Sequence, residues 1–502
     1  MNIIDNDLLS IQEARILAEN ACEVQKVMTT FSQEKLDEIV ERMADEISKY
    51  SRELAILSHE ETEYGRWEDK FVKNRFVCEY LRRELRGMRC VGFISEDREK
   101  NMKEVGVPLG VIAALSPATS PVSTTIFKTL IAIKSGNAII FSPHPRARKV
   151  IEKTLDIMID VAHDAGLPDG ALTYMRTVTP AGTGELMAHR CTSLVMITGV
   201  PGMLERARQS GKPIIFGGIG NGPAFIERTA DLDQATKDII ASKTFDNGVV
   251  SAAEQSIVVD SVVSPQVKER FIANGGYFMT HEESEQLSKL FFLPNGKPNP
   301  EIVGISAVEL AAKAGFRVDS TVKVLLSEKK YLSEDNPYAK EKLCPVLAYF
   351  IEDDWMGACE KCIELLLEER RGHTLVIHSK DEEVIREFAM KKPVARVLVN
   401  TPATFGSMGA TTNLFPSMTL GSGSAGEGIT SDNVSPMNLI YIRKVGYGVR
   451  KVDALDHEVR DCNVPSEPVK KNDLNTDNIE LLHRLLMEAL QKVKTDEDEH
   501  QR

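Results

Sequence analysis

The sequence predicts an α/β protein built on two doubly wound parallel sheets. Three observations carry this. Between Val107 and Phe216 short apolar runs alternate with helical stretches, the pattern of strands joined by crossover helices. From about Asp231 a second alternating unit begins. The 502 residues exceed what one hydrophobic core fills, so at least two domains are expected.

The elements follow in order. Residues 33–63 read as one long helical region, with Leu36, Ile39, Val40, Met43 and Ile47 at the spacing of one buried face. Helical character continues through Tyr80 and Leu85. Val107 to Leu115 is a nearly continuous apolar run, expected as one strand buried on both faces. After the break at Ser116-Pro117, a helix is expected from about Ser123 to Lys134, ended by Gly136. Asn137 to Phe141 is the next strand, and a helix from Arg146 to Asp164 ends at Gly166. Leu172 to Met175, Ser193 to Ile197 and Pro213 to Phe216 are strands, with helices around Gly184–Ala188 and up to Gln209. In the second unit a helix is expected over Leu232–Lys243, then a strand at Ile257–Val259 and a helix around Gln266–Asn274. Strand signals follow at Leu343–Leu347, Thr374–Ile377 and Arg396–Val399. Thr401 to Asp432 is rich in Gly, Ser and Thr with little apolar periodicity, and reads as a loop system. Leu439 to Ile442 reads as a lone strand.

Composition narrows the partners. The hydrophobic fraction is 42% and the charged fraction 27%, ordinary for a globular protein. A net charge of −13 disfavours nucleic acid or an anionic membrane as the main partner. No apolar run approaches the roughly 20 residues that span a bilayer, and the acidic start Met1–Asp7 lacks a secretory pattern. The eight cysteines are scattered and read as reduced thiols in a cytoplasm. Cys359 and Cys362 form a lone C-x-x-C on an expected helix, read as two thiols rather than a zinc site, and no metal site is expected.

The stretch with the most chemical content is Ser242 to Ser256. A polar, turn-rich start passes through small residues into the β-branched run Ile257-Val258-Val259. A loop anchored to a buried strand holds one side chain rigidly. Other separated motifs are Pro117–Pro121, Ser142–Pro145, Thr198-Gly199, Glu341–Val346, Gly372–Thr374 and Pro402–Ser407. Together, over about Phe31 to Gly448, they resemble the CoA-acylating aldehyde dehydrogenases. The likeness extends to the aldehyde half of the bifunctional aldehyde/alcohol dehydrogenases and to the stand-alone acylating enzymes. The resemblance implies a nucleotide-binding domain at 1–229, a catalytic domain at 230–425, and an oligomerisation strand with return to the body at 426–462. A linker and amphipathic helix are expected at 463–502.

In that family a cysteine stands where this chain has Ser251. A thiolate adds to an aldehyde and gives a transferable thioester. A serine hydroxyl with no evident base is expected to be nearly inert, whether engineered or a natural loss. The resemblance places an oxyanion donor at Thr119, although a threonine between two prolines is also an ordinary turn residue. No G-x-G-x-x-G opens a helix after a strand; Thr198 to Gly202 does, and its N–H groups suit a pyrophosphate. By resemblance, Ser142, Pro143 and His144 line the adenosine side, Gly218 leaves room for a pantetheine arm, and Glu341 bonds the nicotinamide ribose. Arg146 and Arg148 leave NAD and NADP both open. Hydrolytic relatives carry a glutamate in the segment matching Phe216–Gly220, whereas no acid stands between Lys212 and Ile226 here. Without that base a thioester waits for a thiol, so coenzyme A is the expected acceptor. Glu254 is read as a structural residue or a base.

The expected activity is reversible oxidation of a short aldehyde to acyl-CoA with NAD or NADP, in a form that Ser251 leaves inactive. A non-catalytic scaffold and a hydrolytic dehydrogenase are the alternatives. Thr404, Phe405, Ser407 and Met408 face the aldehyde by resemblance; acetaldehyde is the default, and sulfoacetaldehyde or succinate semialdehyde stay open. A homodimer or homotetramer through Leu439–Ile442 is implied. The apolar stripe Ile479, Leu482, Leu485, Leu486, Ala489, Leu490 and Val493 packs on the body or a partner subunit, or docks to another protein such as a bacterial microcompartment shell.

Overall fold

The computed structural model describes residues 5–332, 336–368, 373–452 and 480–487. The chain divides into two compact units, Met1–Glu96 with Lys103–Val445, and Asp97–Met102 with Gly446–Arg502. The first unit holds two parallel sheets. Its five-stranded sheet runs in the order Leu172–Tyr174, Ile139–Ser142, Val111–Leu115, Thr192–Thr198, Ile214–Gly217. Every residue of Val111–Leu115 and Ile139–Ser142 is buried, which is why these strands read as unbroken apolar runs. From the central Val111–Leu115 the chain winds to one side, then crosses to the other. The order reverses beside Leu115 and Thr198, where α/β sheets leave a crevice at the strand ends.

The seven-stranded sheet runs Gly276–Phe278, Val324–Glu328, Val346–Glu352, Ser256–Asp260, Pro223–Ile226, Thr374–His378, Arg396–Val399. All its neighbours pair in parallel. Pro223–Ile226 is thus a strand of this second sheet, although it precedes the boundary expected at 229. Two separate apolar clusters cover the sheet's faces. Cys359 and Cys362 lie on the helix Trp355–Glu368 within one of them.

Several expectations are corrected. The helical region 33–63 is two helices, Gln33–Lys49 and Ser51–Thr62, meeting at Tyr50, which caps both. A helix over Asn6–Met28 precedes them. It buries Ser10, Ala14, Ala18, Ala21 and Gln25 against the first sheet's side of the molecule, a stripe too small and polar to stand out in sequence. The run Val107–Leu115 is not one strand. Its first part closes the strand Met102–Pro108, its second is Val111–Leu115, and the two belong to different sheets. Between them Gly110 sits at φ +120°, a conformation open to glycine. Leu439–Ile442 is not lone either. The strand Ile440–Gly446 forms a three-stranded sheet with Gly92–Asp97 and Met102–Pro108. The loop system Thr401–Asp432 contains a short buried helix, Ala403–Met408.

In the second unit, Lys100 N–H donates to the Asp97 carboxylate at 2.9 Å and Tyr447 N–H to the Asn101 carbonyl at 3.3 Å. Residues 480–487 are helical and exposed throughout. Ile479, Ala489, Leu490 and Val493 lie outside the described residues, as do Gly372 and the linker after 463. No described helix is long and apolar enough to cross a membrane.

Candidate active site

The loop leading to Ser251 is built against its own preferences. Asp246, Asn247 and Gly248 take φ of 50°, 51° and 76°, three successive left-handed residues of which two carry side chains. Such backbone costs about 1–2 kcal/mol per non-glycine residue and survives only where the surroundings dictate it. Asp246 supplies that dictate: its carboxylate is fully buried and accepts from Arg66 N–H at 2.6 Å, Lys70 Nζ at 3.0 Å and Lys73 Nζ at 2.5 Å. Against the penalty of burial, Lys73 and Lys70 hold this carboxyl below its ordinary range. Gly65 lets the cluster close, since a Cβ there would lie 1.8 Å from Asp246 Oδ1.

Ser251 then faces two cavities. A small one of about 60 Å³ is lined by Thr119, Thr198, Gly199, Gly218, Ser251, His373 and Met408, among others. A larger one of about 360 Å³ shares Thr119, Gly199, Gly218 and Ser251, and adds Tyr64, His144, Phe291, Phe292, Ile302 and Glu341. His144 also opens onto a third cavity of about 270 Å³ with Ser142, Pro143, Thr179, Thr183 and Gly202. This third space lies at the carboxyl ends of Val111–Leu115, Ile139–Ser142 and Thr192–Thr198, beside the reversal of strand order. Thr119, Ser142, Pro143, His144, Thr198, Gly199, Gly202, Gly218, Ser251 and Glu341 therefore lie along one chain of connected spaces.

Thr404, Phe405 and Ser407 are placed differently. None of them lines these cavities. The Thr404 hydroxyl donates to the Ser242 carbonyl and accepts from the Ser242 hydroxyl, and the Ser407 hydroxyl donates to the Thr404 carbonyl. Phe405 packs edge-on against Phe245, ring centroids 4.8 Å apart. Only Met408 of this helix reaches the small cavity.

Other residues gain importance from the structure. A Cβ on Gly220 would lie 1.4 Å from the Ser251 carbonyl oxygen, so the loop carrying Ser251 runs directly over this glycine. Glu341 Oε1 accepts from Gly220 N–H at 2.9 Å. It is the only carboxylate among the described residues lining the first two cavities. His373 is buried, its Nδ1 2.8 Å from Thr374 Oγ1, and burial with the nearby Arg396 holds its imidazole neutral, well below the usual value. Arg396 fastens the wall behind it, donating to the carbonyls of His373, Gly421 and Ser431 and to Asn433 Oδ1. Glu254 is fully buried, and its Oε1 accepts from Ala403 N–H at 2.9 Å. Burial raises this carboxyl to about 7, which fits a structural role better than a base facing a cavity. Of these, Glu341 and Glu254 were already singled out in the sequence, His373 stood in the motif Gly372–Thr374 and Gly220 in the segment Phe216–Gly220, whereas Arg396 carried no site signal.

Known proteins agree with this architecture. The chain is 38% identical over 436 residues to a bifunctional aldehyde-alcohol dehydrogenase of Escherichia coli (strain K12), covering 86% of this chain and 49% of that protein. It thus spans about half the length of such relatives. It is 32% identical over 439 residues to the succinate-semialdehyde dehydrogenase (acetylating) of Clostridium kluyveri, covering 88% of this chain and 96% of that one. Among solved structures, a probable aldehyde dehydrogenase from Listeria monocytogenes EGD-e superposes with TM-score 0.88 at 46% identity, covering 90% of this chain and 100% of that one. Residues 6–276 match the Aldehyde dehydrogenase family. With two parallel sheets, cavities that meet at Ser251, and this likeness along most of its length, the chain belongs to the aldehyde dehydrogenase family.

Proposed function

We propose that this chain is built for CoA-dependent oxidation of a short aldehyde to an acyl-CoA, reversibly, with NAD or NADP as the hydride acceptor, and that Ser251 leaves it without turnover. One observation carries the proposal. Ser251 stands where the small cavity meets the large apolar one, and Gly218-Ile219-Gly220 bring no carboxylate to its side. Glu341 Oε1, the carboxylate oxygen that accepts from Gly220 N–H, is held by the backbone of that segment.

The residues divide the work. The walls Phe291, Phe292, Ile302 and Val303 give the larger cavity an apolar lining suited to a pantetheine arm. The third cavity, with Ser142, Thr179, Thr183 and Gly202, suits the adenosine end of a dinucleotide. A Cβ on Gly202 would meet no atom within 4 Å, so a phosphate can approach its backbone. A nicotinamide bound beyond Glu341 would supply the hydride acceptor. Thr119 and the N–H of residue 251 would bind the oxyanion formed when a thiolate adds to the aldehyde. His373, held neutral in the same small cavity, is suited to take the proton of the incoming thiol. We further propose association of copies through the edge strand Ile440–Gly446, where Tyr441 is 55% exposed. A protein contact through the exposed leucines 481, 482, 485 and 486 follows the same logic, in the cytoplasm or a microcompartment.

Ser251→Cys tests the reading. The variant should reduce NAD or NADP with acetaldehyde only when CoA is present, while the parent stays silent. Turnover without CoA would establish the hydrolytic reaction instead. Silence of the folded variant with a panel of short aldehydes would establish a non-catalytic protein.

A further inference from the structure

Lys70 and Lys73 lie one turn apart on the helix Trp67–Phe76, so both ammonium groups leave the same face. Both are buried, at 2% and 1% exposure. Buried ammonium groups are costly, and a fold needing only packing would place apolar side chains here. Their partners lie on two segments far apart in sequence. One is Asp246 in the nucleophile loop, 3.0 Å from Lys70 Nζ and 2.5 Å from Lys73 Nζ. The other is the turn that carries Thr119. Lys70 Nζ donates to the Thr119 carbonyl at 3.0 Å, and Lys73 Nζ to Ser120 Oγ at 2.6 Å and the Thr119 carbonyl at 3.4 Å. The same helix reaches back once more, Asp69 Oδ2 accepting from Asp246 N–H at 2.9 Å.

The buried Lys134 shows the contrast. Its ammonium meets Asp37, which is 35% exposed in its side chain, on the helix Gln33–Lys49, away from any cavity that Ser251 lines. Lys70 and Lys73 instead stand between the two backbone segments whose separation sets where an oxyanion would sit relative to residue 251. The strained turn at Asp246–Gly248 begins at the residue whose carboxylate these two cations hold.

We propose that Lys70 and Lys73 are positioning residues for chemistry at residue 251, gripping Asp246 and the Thr119 turn together as one ion cluster. The inference rests on the reaction proposed above, and its test separates the two. The parent is the full chain carrying Ser251→Cys. The introduced thiol is alkylated with iodoacetamide across pH and read by mass spectrometry of its peptide, which requires no turnover. Steady-state kinetics and thermal melting accompany it.

Lys73→Met should lower kcat about a hundredfold, the cost of misplacing reacting groups by about 1 Å, while KM for the dinucleotide stays within about twofold. It should also displace the pH profile of alkylation. Lys73→Arg, which keeps the cation, should recover at least about tenfold of the lost kcat. Lys134→Met should lower the melting temperature and leave the alkylation profile in place. Asp246→Asn preserves shape and decides the matter where Lys73→Met does not fold: it should reproduce the loss of kcat and the displaced profile. The proposal is overturned by a folded Lys73→Met or Asp246→Asn protein with kcat within about threefold of the parent and an unmoved profile. Arginine no better than methionine at position 73 also overturns it. Should the parent itself oxidise no aldehyde, the proposed reaction fails while the alkylation profile still decides on the cluster.

Discussion

Gly220→Ala is the sharpest single test of how the loop carrying Ser251 is supported. The added methyl group would sit 1.4 Å from the Ser251 carbonyl oxygen and 2.4 Å from its carbon. Contacts of that kind do not fall below about 3.0 Å, so the backbone of residue 251 must recede by roughly 1.6 Å. The obstacle is backbone rather than the end of a mobile side chain, so no rotamer change relieves it. Overpacking of this sort costs about 1–3 kcal/mol of stability. The larger effect is on chemistry, because a shift of about 1 Å in a reacting group costs about a hundredfold in rate. In the Ser251→Cys background, Gly220→Ala should therefore lose about a hundredfold or more in kcat for aldehyde oxidation. Dinucleotide binding in the third cavity, which Gly220 does not line, should persist in a fluorescence titration. Gly448→Ala is the control: its Cβ would meet nothing within 4 Å. A Gly220→Ala protein that melts normally and keeps kcat within about threefold would refute the claim that the loop rests on this glycine.

Three further outcomes follow from the geometry. Gly202→Ala should leave the melting temperature unchanged, since its Cβ meets no protein atom, yet weaken dinucleotide binding about tenfold if a pyrophosphate approaches there; unchanged binding would remove Gly202 from the cofactor site. His373→Ala in the Ser251→Cys background should keep a single burst of reduced cofactor but lose steady-state turnover, with a trapped thioester seen by mass spectrometry; loss of the burst itself would move His373 to the first half-reaction. Glu254 binds its proton more tightly in the folded protein, because burial lifts it from 4.5 to about 7. Its contribution to stability is therefore complete below about 4.5 and is lost as pH rises through about 7. Glu254→Gln should flatten that part of the pH dependence of melting, by roughly 3 kcal/mol at most; an unchanged slope between pH 5 and 8 would contradict it.

The winding of both sheets was readable where strands are buried on both sides, because a short unbroken apolar run such as Val111–Leu115, set among turn residues and helical stretches, suits such a strand. The helix Asn6–Met28 was not readable, because alanine and serine make its buried stripe and leave little periodic contrast. The strand Gly92–Asp97 shows the converse: most of its residues face outward, so no alternation marks it. Ser251, Thr119 and the cavity glycines were found through motif likeness, which tracks local sequence. Lys70 and Lys73 were not, since a lysine pair on a helix looks like a solvated face. Their partner Asp246 lies more than 170 residues away, and only the folded chain brings it to them.

The passage from Pro108 to Val111 has a mechanical consequence. One strand of the outer sheet ends at Pro108, and the buried central strand starts at Val111. Leu109 N–H and Asn137 Nδ2 both donate to the Leu439 carbonyl, so the second entry of the outer sheet into the body is lashed to the first. Four residues past the end of that central strand stands Thr119. Force applied to that three-stranded sheet is thus carried by the buried central strand to the short turn that holds Thr119 beside residue 251.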